Sequence, residues 1–208
     1  MLYTKAVESR TLSLLKELME VPALKPFSLV GGTALSLHYG HRRSIDLDLF
    51  YHQKFDHAPI ITELEGHFGT EFQYKHQHSQ FGIFCFISNI KIDIVYFPHL
   101  PISPIETIQG IRMYSPADIA AMKIQAILGR GEKKDFWDLF ELLKHYPLQQ
   151  LIDWHTEKYP NQMLAISIPH AMTYFVDADN TEAPFCFKNQ TWESVKKGIS
   201  KAVSDYLL

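Results

Sequence analysis

The stretch Leu29–Phe50, LVGGTALSLHYGHRRSIDLDLF, constrains this chain more than any other part of it. Leu29 and Val30 lead into Gly31 and Gly32, and Thr33 then opens an apolar-periodic run that stops near Gly40. That order reads as strand, tight turn and short helix. Glycines at such a turn let the backbone approach a ligand with no Cβ in the way, and the free amides at the start of a helix attract phosphate. The same pair would serve equally as a plain turn. From Ile45 to Phe50, apolar Ile45, Leu47 and Leu49 alternate with Asp46, Asp48 and Phe50. A period of two puts Asp46 and Asp48 on one face of a strand, with carboxylates about 6 Å apart. At an effective dielectric of about 20, two such charges repel by about 3 kcal/mol. A solvent-facing edge strand would screen them. The flanking Ile, Leu, Leu and Phe favour a largely buried strand, for which a hard divalent cation is the natural partner.

A third carboxylate from a neighbouring strand would complete a site of that kind. The run Ile90–Phe97, IKIDIVYF, has strand composition and carries one acid, Asp93. An ionised Asp in such a run must be metal-bound or paired, and Lys91 on the same face is the alternative partner.

Taken together, Gly31-Gly32-Thr33-Ala34-Leu35, then Gly40-His41-Arg42 with Ser44, Asp46, Asp48 and Phe50, then the lone Asp93, resemble the nucleotidyltransferase superfamily. Within it, Arg42-Arg43-Ser44-Ile45-Asp46-Leu47-Asp48 resembles the R-x-[ST]-x-D-x-D block of the AbiEii/AbiGii toxin-type nucleotidyltransferases, and the likeness extends through Ser115–Leu143. The resemblance implies an α/β (α+β) fold: a mixed sheet flanked by helices, followed by a helical C-terminal region. It implies that two Mg²⁺ ions are held by Asp46, Asp48 and Asp93, and that an NTP is the substrate. Backbone amides of Gly31, Gly32 and Thr33 would cradle its triphosphate. Lys123 and Arg42 would neutralise charge on the leaving pyrophosphate, Ser44 would orient the loop or a phosphate, and Asp135 would help complete the active site. Asp138 would bind a nearby Arg or Lys. An RNA acceptor, such as a tRNA end, and a separately encoded antitoxin are further implications.

The rest of the chain supplies the frame. It has 208 residues, 46% hydrophobic and 21% charged, with a net charge of −3, which fits one globular core or two small ones and argues against a surface that coats nucleic acid throughout. Two distant cysteines, Cys85 and Cys186, suggest reduced thiols and a cytoplasmic setting. MLYTKAVESR lacks the apolar segment of an export signal, and no apolar stretch is long enough for a membrane span. Amphipathic spacing predicts a helix from about Thr4 to Glu20, and a second one runs from Pro59 to Gly69. Strands are expected over 71–76 and 81–87. His67, His76 and His78 form a weak zinc pattern, with solvent-facing histidines the simpler reading. The prolines between Pro98 and Pro104 mark a boundary, so residues 1–112 are expected to form the core domain and 113–208 a helical domain. Ser115-Pro116-Ala117-Asp118 reads as a helix N-cap, with Lys123 on the helix that follows. Asp135 and Asp138 share a face of the next helix and suit its start. Arg130, Lys133 and Lys134 make a small basic cluster that suits a triphosphate or RNA backbone, or simply an exposed helix edge. Further helices are expected over 148–159, 163–175 and 192–207, with a loop over 177–182; Lys196, Lys197 and Lys201 line one face of the last helix, which reads as solvated.

The expected reaction is Mg²⁺-dependent transfer of a nucleoside monophosphate from an NTP to an acceptor hydroxyl. Two alternatives stand beside an RNA acceptor: a small-molecule acceptor, and a catalytically silent NTP-binding or protein-interaction module.

Overall fold

The computed structural model describes residues 1–74 and 79–208. His76 and His78 lie outside the described residues, and with them the zinc pattern and the end of the strand expected over 71–76.

Seven strands form one mixed sheet in the order β3-β4-β5-β2-β1-β7-β6. They are β1 (Ser28–Leu29), β2 (Leu47–Tyr51), β3 (Phe72–Tyr74), β4 (Gly82–Ile87), β5 (Ile90–Tyr96), β6 (Glu106–Ile108) and β7 (Ile111–Met113). The β2–β5 and β1–β7 pairs are parallel and the others antiparallel. The alternation in the sequence sets the two faces. Leu47 and Leu49 of β2, Ile92 and Ile94 of β5, and Ile83, Cys85 and Ile87 of β4 are all buried on one face. Helix α3 (His57–Phe68) packs on β3 and β4 and buries Ile60 and Leu64. Asp48, Phe50, Lys91, Asp93, Phe84 and Phe86 point to the opposite face, which is only partly covered.

Helix α1 (Ser9–Glu20) follows a 3₁₀ turn at Thr4–Ala6, so the first amphipathic segment is broken near Val7, which bridges to Ser44. Helix α2 (Gly31–Tyr39) packs on β2 and on two C-terminal helices, α4 (Pro116–Gly129) and α5 (Lys133–Leu142). Four more helices follow: α6 (Leu148–Lys158), α7 (Ile168–Thr173), α8 (Val176–Asp179) and α9 (Trp192–Leu207). The cap at the start of α4 is formed as expected: the Asp118 amide donates to Ser115 Oγ, and Ser115 Oγ donates to the Asp118 carboxylate. One continuous apolar cluster runs from Leu14 and Leu15 through β2 and β5 to Val195 and Ile199.

Further local expectations fail. The helix expected over 163–175 is confined to α7, Ile168–Thr173, which Ser167 caps and Pro169 opens. The segment over 177–182 opens with helix α8, because Ala178 is buried and Phe175 packs on Phe136 and Trp192. The buried strand expected from Ile45 starts only at Leu47, and Ile45 is 57% exposed. The reason is local hydrogen bonding: the Thr33 hydroxyl reaches Ser44 Oγ and the Asp46 carbonyl, while the Ser44 amide donates to the Ala6 carbonyl. Residues 44–46 are thus held by the start of α2 and by the N-terminal segment instead of by a strand ladder.

Candidate active site

Asp48 and Asp93 face each other in register on the adjacent parallel strands β2 and β5. Strand spacing puts their Cα atoms about 4.8 Å apart. Burial first, and then the Asp93 charge, push the Asp48 carboxyl up to about 6, against the opposing pull of Lys123 and Lys91. Asp93 Oδ2 lies 2.6 Å from Lys91 Nζ, while its Oδ1 is buried without a hydrogen-bond partner. Asp46 is half-buried just before β2, and its charge also raises Asp48. Among the described residues, no three His, Cys, Asp or Glu side chains are drawn together tightly enough to hold a metal ion unaided. The chemistry of the donors is nevertheless that of a hard cation site: oxygen ligands only, one carboxylate that ionises reluctantly and another with an unpartnered oxygen. The residues present fit Mg²⁺.

The two glycines answer to different neighbours. Gly31, with φ +70, sits so close to Asp48 that a Cβ there would lie 2.5 Å from Oδ2. A Cβ on Gly32 would lie 2.2 Å from Arg42 Nη2. The chain leaves β1 at Val30, whose amide donates to the Asp48 carbonyl, and turns at once into α2 across the front of the carboxylate. The start of a nine-residue helix, free of acidic residues in its first turn, therefore stands directly beside Asp48.

Behind this turn lies a buried ionic network. The Asp138 carboxylate, fully buried, accepts from Arg42 Nε at 2.6 Å, Arg42 Nη2 at 2.7 Å and His41 Nε2 at 2.6 Å, and lies 2.7 Å from Lys123 Nζ. Lys123 Nζ also donates to Asp135 Oδ1 at 2.9 Å, and Arg130 Nε reaches Asp135 Oδ2 at 3.3 Å. Burial pushes Asp138 up, but the charges of Arg42 and Lys123 and the hydrogen bonds from His41 and Arg42 outweigh it and hold the carboxyl well below its usual range. The balance is the same in kind at Asp135, where Lys123 and Arg130 overcome burial. Burial lowers His41 despite the Asp138 contact, so the ring is neutral and Nε2 carries the proton.

The loop 41–44 that carries Arg42 is held by the segment 185–187. Phe187 N donates to the His41 carbonyl and Arg43 N to the Phe185 carbonyl, while the Arg43 guanidinium lies 4.8 Å from the Phe185 ring centre.

The expected site residues thus fall into two groups. Asp48, Asp93, Gly31 and the start of α2 line the partly open face of the sheet, while Asp46 lies just before β2, outside the strand alternation expected to place it beside Asp48 but near enough for its charge to act there. Gly32, Thr33, Arg42, Ser44, Lys123 and Asp135 meet behind it, with Thr33, Ser44, Arg42 and Lys123 buried and hydrogen-bonded within the protein. The sequence reading assigned His41 no part, although it stands in the Gly40-His41-Arg42 run and caps the network. The Lys91 pairing considered for Asp93 is formed. Arg130, 56% exposed and electrically coupled to both Asp135 and Asp48, is the cation of the basic cluster that opens onto the carboxylate side.

Residues 13–162 match the family model described as nucleotidyl transferase AbiEii toxin, type IV toxin–antitoxin system. An uncharacterised protein of Aquifex aeolicus (strain VF5) is 32% identical over 199 residues, spanning 93% of this chain and 94% of that protein. Among solved structures, the nucleotidyltransferase toxin MenT4 (Rv2826c) of Mycobacterium tuberculosis H37Rv superposes with a TM-score of 0.59 at 15% identity, covering 95% of this chain and 86% of that one. JHP933 of Helicobacter pylori gives 0.57 at 19% identity, covering 95% and 92%. At such identities the two structures speak to the fold alone.

Proposed function

Because the chain belongs to the AbiEii nucleotidyl transferase toxin family, and is by that membership a nucleotidyltransferase, we propose that Asp46, Asp48 and Asp93 form its reaction centre for moving a nucleoside monophosphate from an NTP to an acceptor hydroxyl, with release of pyrophosphate. The observation that carries this reading is the register of Asp48 against Asp93 with Gly31 pressed onto the Asp48 carboxylate. A helix start beside paired acids offers amides to phosphate at the place where cation ligands converge. Asp46, Asp48 and Asp93 would hold two Mg²⁺ ions, which when bound supply charge neutralisation on the phosphates and polarise the acceptor oxygen.

The chain's own groups position and shield. The amides of Gly31, Gly32 and Thr33 face the triphosphate; the Thr33 hydroxyl is engaged with the 44–46 loop and serves only to hold it. Ser44 acts in the same way, as the partner that fixes that loop. Asp93 faces the acceptor. Lys123 and Arg42, saturated by Asp135 and Asp138, act on phosphate through their field, three cations with Arg130 against two carboxylates, while Arg130 meets the polyphosphate or the acceptor backbone; Lys133 is committed to the Asp179 and Thr181 carbonyls and Lys134 to Glu132. Asp135 completes the site by holding Lys123 and Arg130.

The acceptor in this reading is RNA, such as a tRNA end, and an antitoxin encoded separately restrains the enzyme. Membership of a toxin family of a toxin–antitoxin system supports the antitoxin; the RNA acceptor rests on the family resemblance of the sequence and is what the labelling experiment decides. Free Cys85 and Cys186 fit a reducing, cytoplasmic setting, and no described helix is long and apolar enough to cross a membrane. The test is incubation of purified protein with Mg²⁺, each radiolabelled NTP in turn and total cellular RNA, with Asp46→Ala as control. Label in an RNA band that the variant fails to produce supports the proposal and names the nucleotide. Label on a small molecule alone moves the acceptor to that class, and no label on anything with intact NTP binding refutes the reaction.

A further inference from the structure

The partly open face of the sheet does not end at the carboxylates. Strand β4 is the next strand outward, paired antiparallel with β5 so that Phe84 lies directly opposite Asp93 and Phe86 directly opposite Lys91. Directly opposed residues share a face, so Phe84, Asp93 and Asp48 form one row across three strands, with neighbouring Cα atoms about 5 Å apart. Both phenylalanines are exposed, Phe84 by 37% and Phe86 by 46%, whereas Ile83, Cys85 and Ile87 between and beside them fill the core. The strand is therefore apolar on both faces. Alternation on a half-open sheet calls for polar residues at 84 and 86, and neither ring is needed for the core that the opposite face already makes. Gln73 lies opposite Phe86 on the other side, and Lys91, with its side chain 47% exposed, stands beside Asp93 on β5, opposite Phe86 and paired with the Asp93 carboxylate.

We propose that Phe84 and Phe86 are a stacking platform for unpaired nucleobases at the end of an RNA acceptor. This rests on the reaction proposed above and adds a recognition site for its acceptor. The chemistry is specific to a single strand: two ring faces spaced about 6.6 Å apart along β4 offer successive bases a surface that a duplex, with its bases stacked inside, cannot use. Lys91 adds a cation at the phosphate or base edge beside them. The row geometry also sets the register of the ligand. The Phe84 Cα stands about 5 Å from that of Asp93 and about 10 Å from that of Asp48, so the nucleotide gripped there is the terminal one or its neighbour, and a base on Phe86 lies one step further from the reacting hydroxyl. Because the rings discriminate by stacking and not by base edges, purine-rich ends are gripped more tightly than pyrimidine-rich ones.

The experiment separates binding from chemistry. Fluorescein-labelled oligoadenylate, oligouridylate and a duplex are titrated into wild-type protein, Phe84→Ala, Phe86→Ala, Phe86→Trp and Asp48→Asn, with anisotropy as readout; KM for RNA and for NTP is measured in parallel. The expected result is tighter binding of oligoadenylate than of oligouridylate or duplex. Single-strand affinity falls about 5- to 100-fold in each alanine variant, is retained in Phe86→Trp, and KM for RNA rises with KM for NTP unchanged. Single-strand affinity equal in wild type and both alanine variants overturns the platform. A rise in the NTP KM alone overturns it too, assigning the rings to the incoming nucleotide, and so does a loss confined to binding of a protein partner. If the oligonucleotides bind through the rings while no NTP transfers label to RNA, the platform stands and the proposed reaction falls.

Discussion

Two clusters of charge lie on either side of the Gly31-Gly32 turn, and they are built on opposite principles. Behind it, Asp138 has four donors on two oxygens and sits well below the usual carboxylate range in full burial. In front, Asp48 is pushed up to about 6 and Asp93 keeps an oxygen without a partner. The same residue type is thus over-supplied with cations in one place and short of them in the other, where Lys91 pairs with one Asp93 oxygen and, among the described residues, no cation touches Asp48, within one helix start. A carboxylate satisfied by its own protein is a structural member; one left unsatisfied at an accessible face is poised for something that arrives from solution. The contrast also explains the double glycine: each lacks a Cβ because a charged group from one of the two clusters occupies the space.

The sharpest way to break the comparison is to remove one acid from each cluster. Asp48→Asn is expected to lower nucleotidyl transfer by at least about 10⁴-fold, or about 5 kcal/mol of transition-state stabilisation, without lowering the melting temperature. Single-turnover rates alongside thermal melts test it, and a variant that unfolds would place Asp48 with the structural acids. Asp138→Asn is expected to do the reverse, costing about 3–5 kcal/mol of stability because Arg42 and Lys123 are left buried with too few counter-charges. Urea unfolding measures that loss, and a variant as stable as the parent would dissolve the distinction.

A smaller effect separates the clusters by pH. A carboxyl whose folded-state pKa is raised binds more protons folded than unfolded, so its contribution to stability falls as pH rises from about 4 through 6 and is constant above. Asp48 should therefore cost the cation-free protein about 3 kcal/mol at neutral pH, and Asp48→Asn should be the more stable protein at pH 7.5 in chelator and no more stable at pH 4. Glu141 has the opposite sign. Lys144 and Lys188 overcome burial and hold it at about 2, so its stabilisation is present above pH 4.5 and fades as pH falls towards 2. Chemical denaturation across pH 3–8 resolves the two limbs. Smallest of all, Thr33→Val should cost about 1 kcal/mol by removing the hydroxyl that anchors Ser44 and the Asp46 carbonyl, and it should slow transfer mildly by loosening Asp46. Stability loss with unchanged transfer would mean that Asp46 needs no such anchor.

Much of this was legible in the chain. The glycine pair, the period-two acids, the lone Asp93 in an apolar run and the Ser115-Pro116 cap are local patterns, and local backbone geometry makes them predictive. Strand β2 starts two residues later than its alternation predicts because the Thr33 hydroxyl, eleven positions away from Ser44, draws residues 44–46 out of the strand. His41 was overlooked for a similar reason: what gives it a role is Asp138, which lies 97 residues further on.

Local pattern fixes which residues carry charge and, inside a formed strand or helix, which way each one faces, since a period of two or 3.6 is a property of neighbouring backbone; it fails at Ile45 and Asp46, where no strand forms. Only the tertiary structure decided which acid would be satisfied and which left wanting. That depends on β5 lying parallel beside β2 and on α4 and α5 closing over Arg42, and such pairings are fixed by burial of the shared core, where contacts between distant segments outweigh every local preference.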